Sequence, residues 1–177
     1  MPQPATEMTA EDVLQILTLL DANSVEAWLE GGWNVDALLG EQTRIHKDLD
    51  MVVALADVPR IRATLAERSF KLVEGGPPTN FVLQDQRGRR LDFHPVRWDE
   101  HGNGVYRMAD GEDWSFPADG FSGRGVINGH AVKCLTPEVL MICRAGYEWA
   151  EKDYHDTAAI HARFGAPYPS GYGPKPE

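Results

Sequence analysis

One stretch, Leu29–Val53, constrains the fold of this chain more than any other part of the sequence. It reads LEGGWNVDALLGEQTRIHKDLDMVV, so two adjacent glycines end one apolar segment and Asp48-Leu49-Asp50 opens another. The fifteen residues between these motifs, Trp33–Lys47, are typical of a short helix followed by a loop. The stretch therefore predicts two strands, one ending in a glycine bend and the other beginning with paired carboxylates.

The residue types in this stretch suit a site for a divalent cation and for phosphate. Side chains alternate along a strand, so Asp48 and Asp50 project from one face while Leu49 points towards a core. Mg²⁺ takes hard oxygen ligands, usually one or two carboxylates together with phosphate oxygens. Gly31 and Gly32 have no Cβ, so their backbone N–H groups can approach a phosphate closely. Either motif alone is common as a solvated acidic pair or a simple turn; their combination predicts the site.

The loop Glu41–Lys47 precedes the carboxylates and carries basic side chains, among them Arg44 and His46. A guanidinium group binds phosphate through charge-assisted hydrogen bonds, so Arg44 is the best candidate for a phosphate clamp, with plain solvation as the alternative. Lys152, in the last predicted helix, is a further candidate for nucleotide binding. Asp36, in the short helix, is expected to be an exposed carboxylate.

A third carboxylate is expected from the segment RRLDFHPV, Arg89–Val96, which alternates as a strand does. Its apolar side chains form one face, and Asp92 and His94 share the other. Asp92 could be a third metal ligand, and His94 a polar group on the acceptor side. Either could take the proton from an attacking hydroxyl, since both residue types serve as general bases. A surface or structural histidine is the alternative for His94.

Charge and composition narrow the possible partners. The chain carries 17 Lys and Arg against 27 Asp and Glu, a formal net charge of −10, without a basic run. Proteins that hold nucleic acid usually neutralise several phosphates with basic side chains, so a nucleic-acid partner is disfavoured and a small cationic acceptor is favoured. No apolar stretch is long enough for a bilayer, and Cys134 and Cys143 are expected to be buried thiols. These features predict a reduced, cytoplasmic protein without a membrane partner.

The pattern of helices, strands and turns predicts one domain over residues 9–165, with a flexible leader over residues 1–8 and a flexible tail over residues 166–177. Arg97–Gly123 is predicted to be irregular, and Asn128-Gly129 predicts a hairpin at the edge of the sheet. The predicted helices are Ala10–Ala22, Trp33–Leu39, Val58–Arg68, one beginning at Thr136-Pro137 and one ending near Phe164.

The motifs GGWNVDALLGEQTRIHKDLD, LDFHPV and KCLTPEVLMICRAGYEWAEKDYHD resemble those of small antibiotic nucleotidyltransferases of the polymerase-β-like superfamily. The resemblance covers roughly residues 9–164 and is nearest to the short lincosamide nucleotidyltransferases, with the aminoglycoside 2''-nucleotidyltransferases further off. It implies an α+β polymerase-β-like nucleotidyltransferase fold: a mixed twisted sheet with helices packed on one face, an extra hairpin and C-terminal helices.

The resemblance also implies a reaction, in which AMP passes from ATP to a hydroxyl group of a small antibiotic and pyrophosphate is released. Asp48, Asp50 and Asp92 would bind Mg²⁺, and Gly31 and Gly32, together with Arg44, would hold the triphosphate. Relatives of this kind form homodimers. A lincosamide is the first expected acceptor and an aminoglycoside the second, with acceptor choice expected in the Gly75–Asn80 loop and the acidic segment at 110–113. A non-catalytic domain that binds nucleotide or a partner protein is the alternative from another class.

Overall fold

The computed structural model describes residues 6–177, in which five α-helices and nine strands form. The expected flexible leader over residues 1–8 lies mostly outside the described chain, although Met8 at its end is fully buried. The helices are α1 (Ala10–Ala22), α2 (Gly31–Leu39), α3 (Val58–Ala66), α4 (Pro137–Ile142) and α5 (Glu151–Phe164). The strands are β1 (Ala27–Glu30), β2 (Asp48–Ala54), β3 (Lys71–Gly75), β4 (Phe81–Gln84), β5 (Arg90–Trp98), β6 (Gly104–Arg107), β7 (Asp113–Phe116), β8 (Arg124–Ile127) and β9 (His130–Lys133).

A mixed sheet of seven strands carries the predicted catalytic side chains Asp48, Asp50, Asp92 and His94. The strand order is β1-β2-β5-β4-β3, and β6 and β7 continue the sheet beside the second half of β5. Strands β2 and β5 are parallel, whereas the other pairs in this sheet are antiparallel. This arrangement of a mixed sheet with helices confirms the predicted α+β fold.

Alternation along the two parallel strands decides which face is buried. Leu49, Met51, Leu91 and Phe93 are fully buried in the main core, which also takes in apolar side chains of α1 and α3. The polar side chains between them therefore project from the opposite face of the sheet. Further along that face a second apolar cluster forms beneath α4, and its buried members are Trp28, Val52, Val96, Phe116, Leu135 and Val139.

Helix ends follow the predicted signals. The Thr9 hydroxyl accepts a hydrogen bond from the Asp12 backbone N–H, and the Asp12 side chain accepts one from the Thr9 N–H, a complete capping box. Helix α2 stops at Gly40, whose φ of +76° is left-handed and favours glycine. The Thr136 side chain caps α4 just before Pro137.

Within residues 6–177, no helix combines the length and apolar character needed to cross a bilayer.

The segment predicted to be irregular, Arg97–Gly123, instead contains the hairpin of β6 and β7. Val96 of β5 pairs with Tyr106, and Tyr106 pairs with Trp114 across the hairpin. The irregular prediction was wrong because each strand has only four residues, too few for alternation to be recognised. The acidic residues Asp110 and Glu112 lie in the turn between β6 and β7.

One further expectation needs correction, and the flexibility of the tail remains a prediction. The hairpin of β8 and β9 has the predicted Asn128-Gly129 turn, but it forms a separate two-stranded sheet, which touches the edge strand β1 through one bridge between Leu29 and Cys134. Gly125 of this hairpin packs directly against Ala37 of α2. The expected flexible tail, 166–177, contains no helix or strand, yet part of it packs on the domain. The ring of Tyr172 stacks on Trp149, with 4.7 Å between centroids, and its hydroxyl accepts hydrogen bonds from backbone N–H groups.

Candidate active site

A row of three acidic side chains crosses the open face of the sheet. Glu30 ends β1 and pairs with Asp50 of β2, and Asp50 pairs in turn with Asp92 of β5. All three are partly exposed, and Asp48, two residues before Asp50 on the same face, is exposed. The pairing of β2 with β5 thus brings together the carboxylates that the sequence analysis assigned to one site, and it adds Glu30.

We call Glu30, Asp50 and Asp92, with Asp48 beside them, the acid row. Electrostatic repulsion among these carboxylates contributes to raised pKa values within it. Burial, followed by the charges of Asp48, Glu30 and Asp92, raises the pKa of Asp50 well above its ordinary value. Burial is also the largest cause that raises the pKa of Asp92. A divalent cation would relieve this repulsion, and the hard oxygen donors of the row suit Mg²⁺.

The acid row does not by itself form a closed cage for a cation. Within residues 6–177, no three His, Cys, Asp or Glu side chains converge as a complete metal site. This geometry fits a cation that takes one or two ligands from the protein and the remainder from phosphate oxygens and water, which is the usual arrangement for Mg²⁺ with a nucleotide.

Glu30 was missed by sequence reasoning, and it determines the state of His94. The Nδ1 atom of His94 lies 2.9 Å from the Glu30 carboxylate. Burial alone would lower the pKa of His94, but Glu30, followed by Asp92 and Asp50, raises it to about 9. An imidazole with such a pKa is protonated at neutral pH, so it donates hydrogen bonds and is a poor proton acceptor. Of the two predicted general bases, Asp92 is therefore favoured over His94.

The two glycines make room for side chains of the site. Gly31 has a φ of +64°, and a Cβ there would overlap the Asp50 carboxylate. A Cβ on Gly32 would overlap the guanidinium group of Arg44 and the ring of His46. The glycine bend begins α2 and therefore brings the backbone N–H groups of its first turn close to Asp50 and Arg44. The close approach of a phosphate, predicted from the sequence, remains a prediction.

Gly31→Ala is expected to lower kcat on the order of 100-fold, because the new Cβ displaces the Asp50 carboxylate. The matched control is Gly40→Ala: Gly40 also has positive φ, +76°, but a Cβ there meets nothing within 4 Å. Both variants carry a similar backbone strain of about 1–2 kcal/mol. Steady-state kinetics beside thermal melts separate the two effects, and equal losses of kcat in both variants would contradict this role of Gly31.

Arg44 lies beside the glycine bend but is not a free cation. Its Nε and Nη2 atoms donate to the two carboxylate oxygens of Asp156 in α5, each at 2.8 Å. The bidentate pair is largely shielded, with Asp156 fully buried. The phosphate clamp expected from the sequence is thus already bonded to a carboxylate, which fixes the guanidinium group against Gly32 and leaves part of it exposed.

One other expectation in this region differs from the structure. Asp36 was expected to be exposed but is buried, 2.5 Å from Nε2 of His46, and it accepts a hydrogen bond from the Thr43 hydroxyl. The reason is structural, because this carboxylate anchors the Glu41–Lys47 loop to α2, and His46 is thereby occupied. Lys152 is exposed on α5. Its predicted contact with nucleotide stays a prediction.

Two aspartates of α5, Asp153 and Asp156, explain how this helix is attached to the rest of the domain. Asp153 and Asp156 accept hydrogen bonds from Arg144 at 2.6 and 3.0 Å, and the Tyr147 hydroxyl donates to Asp153 at 3.0 Å. Asp156 therefore holds Arg44 and Arg144 together. The sequence analysis did not assign Arg144 or Tyr147 to the site, because nothing in the local sequence pattern distinguishes them from ordinary helix residues.

A cavity of about 150 Å³ adjoins the acid row on the side of α4. Its lining combines charged groups of the sheet with side chains from α4 and the turn after it: Glu30, Gly31, Asp50, His94, Leu140, Cys143, Arg144 and Tyr147. A larger groove of about 890 Å³ runs along α1, and it contains none of the predicted site residues. The smaller cavity is therefore the one connected with the candidate chemistry.

Known proteins are similar to this chain in both sequence and fold. A lincosamide resistance protein of Staphylococcus haemolyticus is 27% identical over 149 residues, covering 84% of this chain and 92% of that protein. A 2''-aminoglycoside nucleotidyltransferase of Klebsiella pneumoniae is 30% identical over 131 residues, covering 72% and 67%. The crystal structure of the lincosamide antibiotic adenylyltransferase LnuA with lincomycin bound has a TM-score of 0.80 at 25% identity, covering 89% of this chain and 99% of that one. The structure of ANT(2'')-Ia with adenylyl-2''-tobramycin, at 22% identity, has a TM-score of 0.70, covers 86% and 87% of the two chains, and supports the fold.

The polymerase-β-like fold and these relatives make this chain a nucleotidyltransferase. Residues 12–160 match the family model described as aminoglycoside-2''-adenylyltransferase, which is most of the chain. The chain belongs to that family. The predicted resemblance to small antibiotic nucleotidyltransferases is thereby confirmed.

Proposed function

We propose that this enzyme transfers AMP from ATP to a hydroxyl group of a small antibiotic, in a reaction that depends on Mg²⁺. The observation that carries the proposal is the pairing of Asp50 with Asp92 on parallel strands beside the glycine bend at Gly31. Acidic groups so close together repel one another, and a divalent cation with a triphosphate is the ligand that offsets this cost.

Each part of the site has a role in this reaction. Asp48 and Asp50 would hold the cation, which would supply positive charge to offset that of the triphosphate and of the leaving pyrophosphate. Gly31 and Gly32 direct the first N–H groups of α2, and its positive dipole end, towards the triphosphate. Arg44 is held beside them by Asp156 and adds positive charge at the same place.

Asp92 acts as the third carboxylate and takes the proton from the acceptor. The acceptor oxygen forms a bond to the α-phosphorus of ATP, and the bond from that phosphorus to the β-phosphate oxygen breaks, so that pyrophosphate leaves. The released proton passes to the Asp92 carboxylate. His94, with Nδ1 against Glu30, contributes positive charge beside the reacting groups.

A lincosamide is our first choice of acceptor. The Staphylococcus haemolyticus relative, named for lincosamide resistance, is matched over 92% of its length. The hairpin of β6 and β7 is also less anionic than its sequence suggests. Asp113, at the start of β7, pairs with Arg107 and with Arg97, the latter at 3.5 Å. The wall nearest His94 is aromatic: the ring of Tyr106 meets the imidazole edge to face at 5.3 Å. An acceptor with a modest positive charge and an apolar part suits this wall.

An aminoglycoside is the second candidate, favoured by the formal net charge of −10 and by the Klebsiella pneumoniae relative. An acidic protein attracts a polycationic acceptor over long range, and the effect declines with salt. Discrimination between the two acceptors therefore depends on short-range contacts and not on net charge alone.

Mass spectrometry of reactions with Mg-ATP distinguishes the candidates. Lincomycin and a panel of aminoglycosides are incubated separately with the enzyme, and pyrophosphate release is followed in parallel. We expect an AMP adduct on lincomycin with matching pyrophosphate release. An adduct only on aminoglycosides would reject the first choice, whereas ATP binding indifferent to Mg²⁺, with no pyrophosphate released for any acceptor, would favour a non-catalytic binding domain.

We make two further proposals, one on location and one on assembly. ATP is a cytoplasmic co-substrate and Cys134 and Cys143 are free thiols, so we place the enzyme in the cytoplasm. We also propose that it forms a homodimer, which sedimentation equilibrium would test directly.

A further inference from the structure

Asn80 makes polar contacts with three separate elements around the acid row. Its side-chain Nδ2 donates to Oδ1 of Asp92 at 3.3 Å, and its backbone N–H donates to the Tyr106 hydroxyl at 3.0 Å. Its carbonyl oxygen accepts a hydrogen bond from the Gly76 N–H at 3.2 Å. A single residue therefore joins the loop before β4, strand β5 and strand β6.

The loop that ends at Asn80 has a fixed shape. The Thr79 hydroxyl donates to the Gly76 carbonyl at 2.9 Å, which closes the loop from within. Gly75 has a φ of +69°, and a Cβ there would overlap the Asn80 carbonyl, so only glycine allows this closure. Pro77 and Pro78 are exposed at its tip. The loop thus presents an outward surface while its last residue contacts the acid row.

The second connection runs through Tyr106. Its ring is half-buried and lies edge to face against His94, while its hydroxyl accepts the Asn80 N–H. Strand β6 is paired with β5, so the ring is held by the sheet itself. Asn80 therefore contacts Asp92 directly, and Tyr106 links Asn80 to the neighbouring His94.

We propose that Asn80 is a positioning residue, which fixes the Asp92 carboxylate and couples it to the acceptor-side loop at 75–80. The inference rests on the proposed function. Among the described side chains, Asn80 is the one that donates a hydrogen bond to Asp92. Without this bond the carboxylate rotates freely about its χ angles and is less often directed at the acceptor hydroxyl. Misplacement by about 1 Å can lower a rate on the order of 100-fold.

The test compares substitutions that remove separate bonds. Asn80→Ala removes the donor to Asp92, and Asn80→Asp keeps the shape but replaces the donor with an acceptor. Asn23→Ala is the matched control, because it removes a side-chain amide donor of the same kind, bonded to the Leu19 carbonyl at 2.8 Å at the exposed end of α1. We expect kcat to fall about 10- to 100-fold in both Asn80 variants with the KM for ATP within about twofold of wild type. Asn23→Ala is expected to keep kcat, and Asn80→Gln, which retains an amide donor, to recover part of it.

The outcomes separate this inference from the proposed function. A wild type inactive with every acceptor would overturn both. An active wild type with unchanged kcat in Asn80→Ala, or with equal losses in Asn80→Ala and Asn23→Ala, would overturn the positioning role alone. If circular dichroism shows that Asn80→Ala does not fold, Tyr106→Phe is used in its place, because it keeps the ring and removes the hydroxyl bonded to Asn80. A lowered kcat with unchanged KM for ATP in Tyr106→Phe supports the coupling. A kcat equal to that of wild type overturns it.

Discussion

Asp50→Asn is expected to abolish turnover while leaving the chain at least as stable as wild type. Asp50 lies in the middle of the acid row, next to both Glu30 and Asp92. An amide is a much weaker ligand for Mg²⁺, and losing several kcal/mol of cation-mediated stabilisation lowers kcat on the order of 1,000-fold or more. Kinetics with the confirmed acceptor at saturating Mg-ATP provide the measurement.

The stability part of this prediction follows from the raised pKa of Asp50, caused first by burial and then by Asp48. Between the unfolded pKa and the raised folded pKa, the folded chain binds more protons, so stability falls as pH rises through that range. Above it, the charged carboxylate destabilises the fold, and Asp50→Asn removes this cost. Urea denaturation without Mg²⁺, at acidic and neutral pH, should show a weaker pH dependence in the variant.

The control for this experiment is Asp21→Asn, an exposed carboxylate at the end of α1. This variant should match wild type both in kcat and in the pH dependence of unfolding. Full activity of Asp50→Asn would show that Asp50 is not a metal ligand, and a large loss of stability in the variant would show that its carboxylate is a structural group.

Asp156→Ala is expected to destabilise the chain by about 3–5 kcal/mol, the usual cost of removing one partner of a buried ion pair. Asp156 is fully buried and accepts hydrogen bonds from both Arg44 and Arg144. Its removal leaves two guanidinium groups without their shared carboxylate, and Arg144 is only 8% exposed. It also removes both hydrogen bonds that hold Arg44 to α5, so activity should fall together with stability.

An exposed ion pair between the C-terminal segment and the same helix provides the comparison. Lys175 lies 2.7 Å from Glu151, and both side chains are more than half exposed. Lys175→Ala should change the urea midpoint little, because exposed pairs contribute little to stability. Midpoints that shift equally in Lys175→Ala and Asp156→Ala would contradict the role assigned to the buried network of Asp156.

Much of the site could be predicted because strand alternation fixes which side chains share a face. Asp48 and Asp50 follow this rule within β2, and Asp92 and His94 follow it within β5. The glycine bend and the helix caps depend on single residues with special backbone preferences, so they too could be predicted from the sequence.

The features that were missed depend on contacts between distant parts of the chain. Glu30 joins the acid row only because β1 pairs with β2 in one register, and a strand of four residues does not determine that register. The partner of Arg44 is 112 residues away in sequence, so its bidentate pairing with Asp156 could not be predicted from the loop. Asp36 is buried for a more local reason, since its partner His46 reaches it only when the loop at 41–47 folds back onto α2.

The Mg²⁺ dependence of nucleotide binding tests the central claim most directly. Isothermal titration calorimetry with a non-hydrolysable ATP analogue is carried out on wild type and Asp50→Asn, with Mg²⁺ and with EDTA. Wild type should bind at least about tenfold more tightly with Mg²⁺, a difference of about 1.4 kcal/mol or more, and Asp50→Asn should lose this dependence. Equal affinity of wild type in Mg²⁺ and in EDTA would contradict the assignment of the acid row as the site of a metal-bound triphosphate.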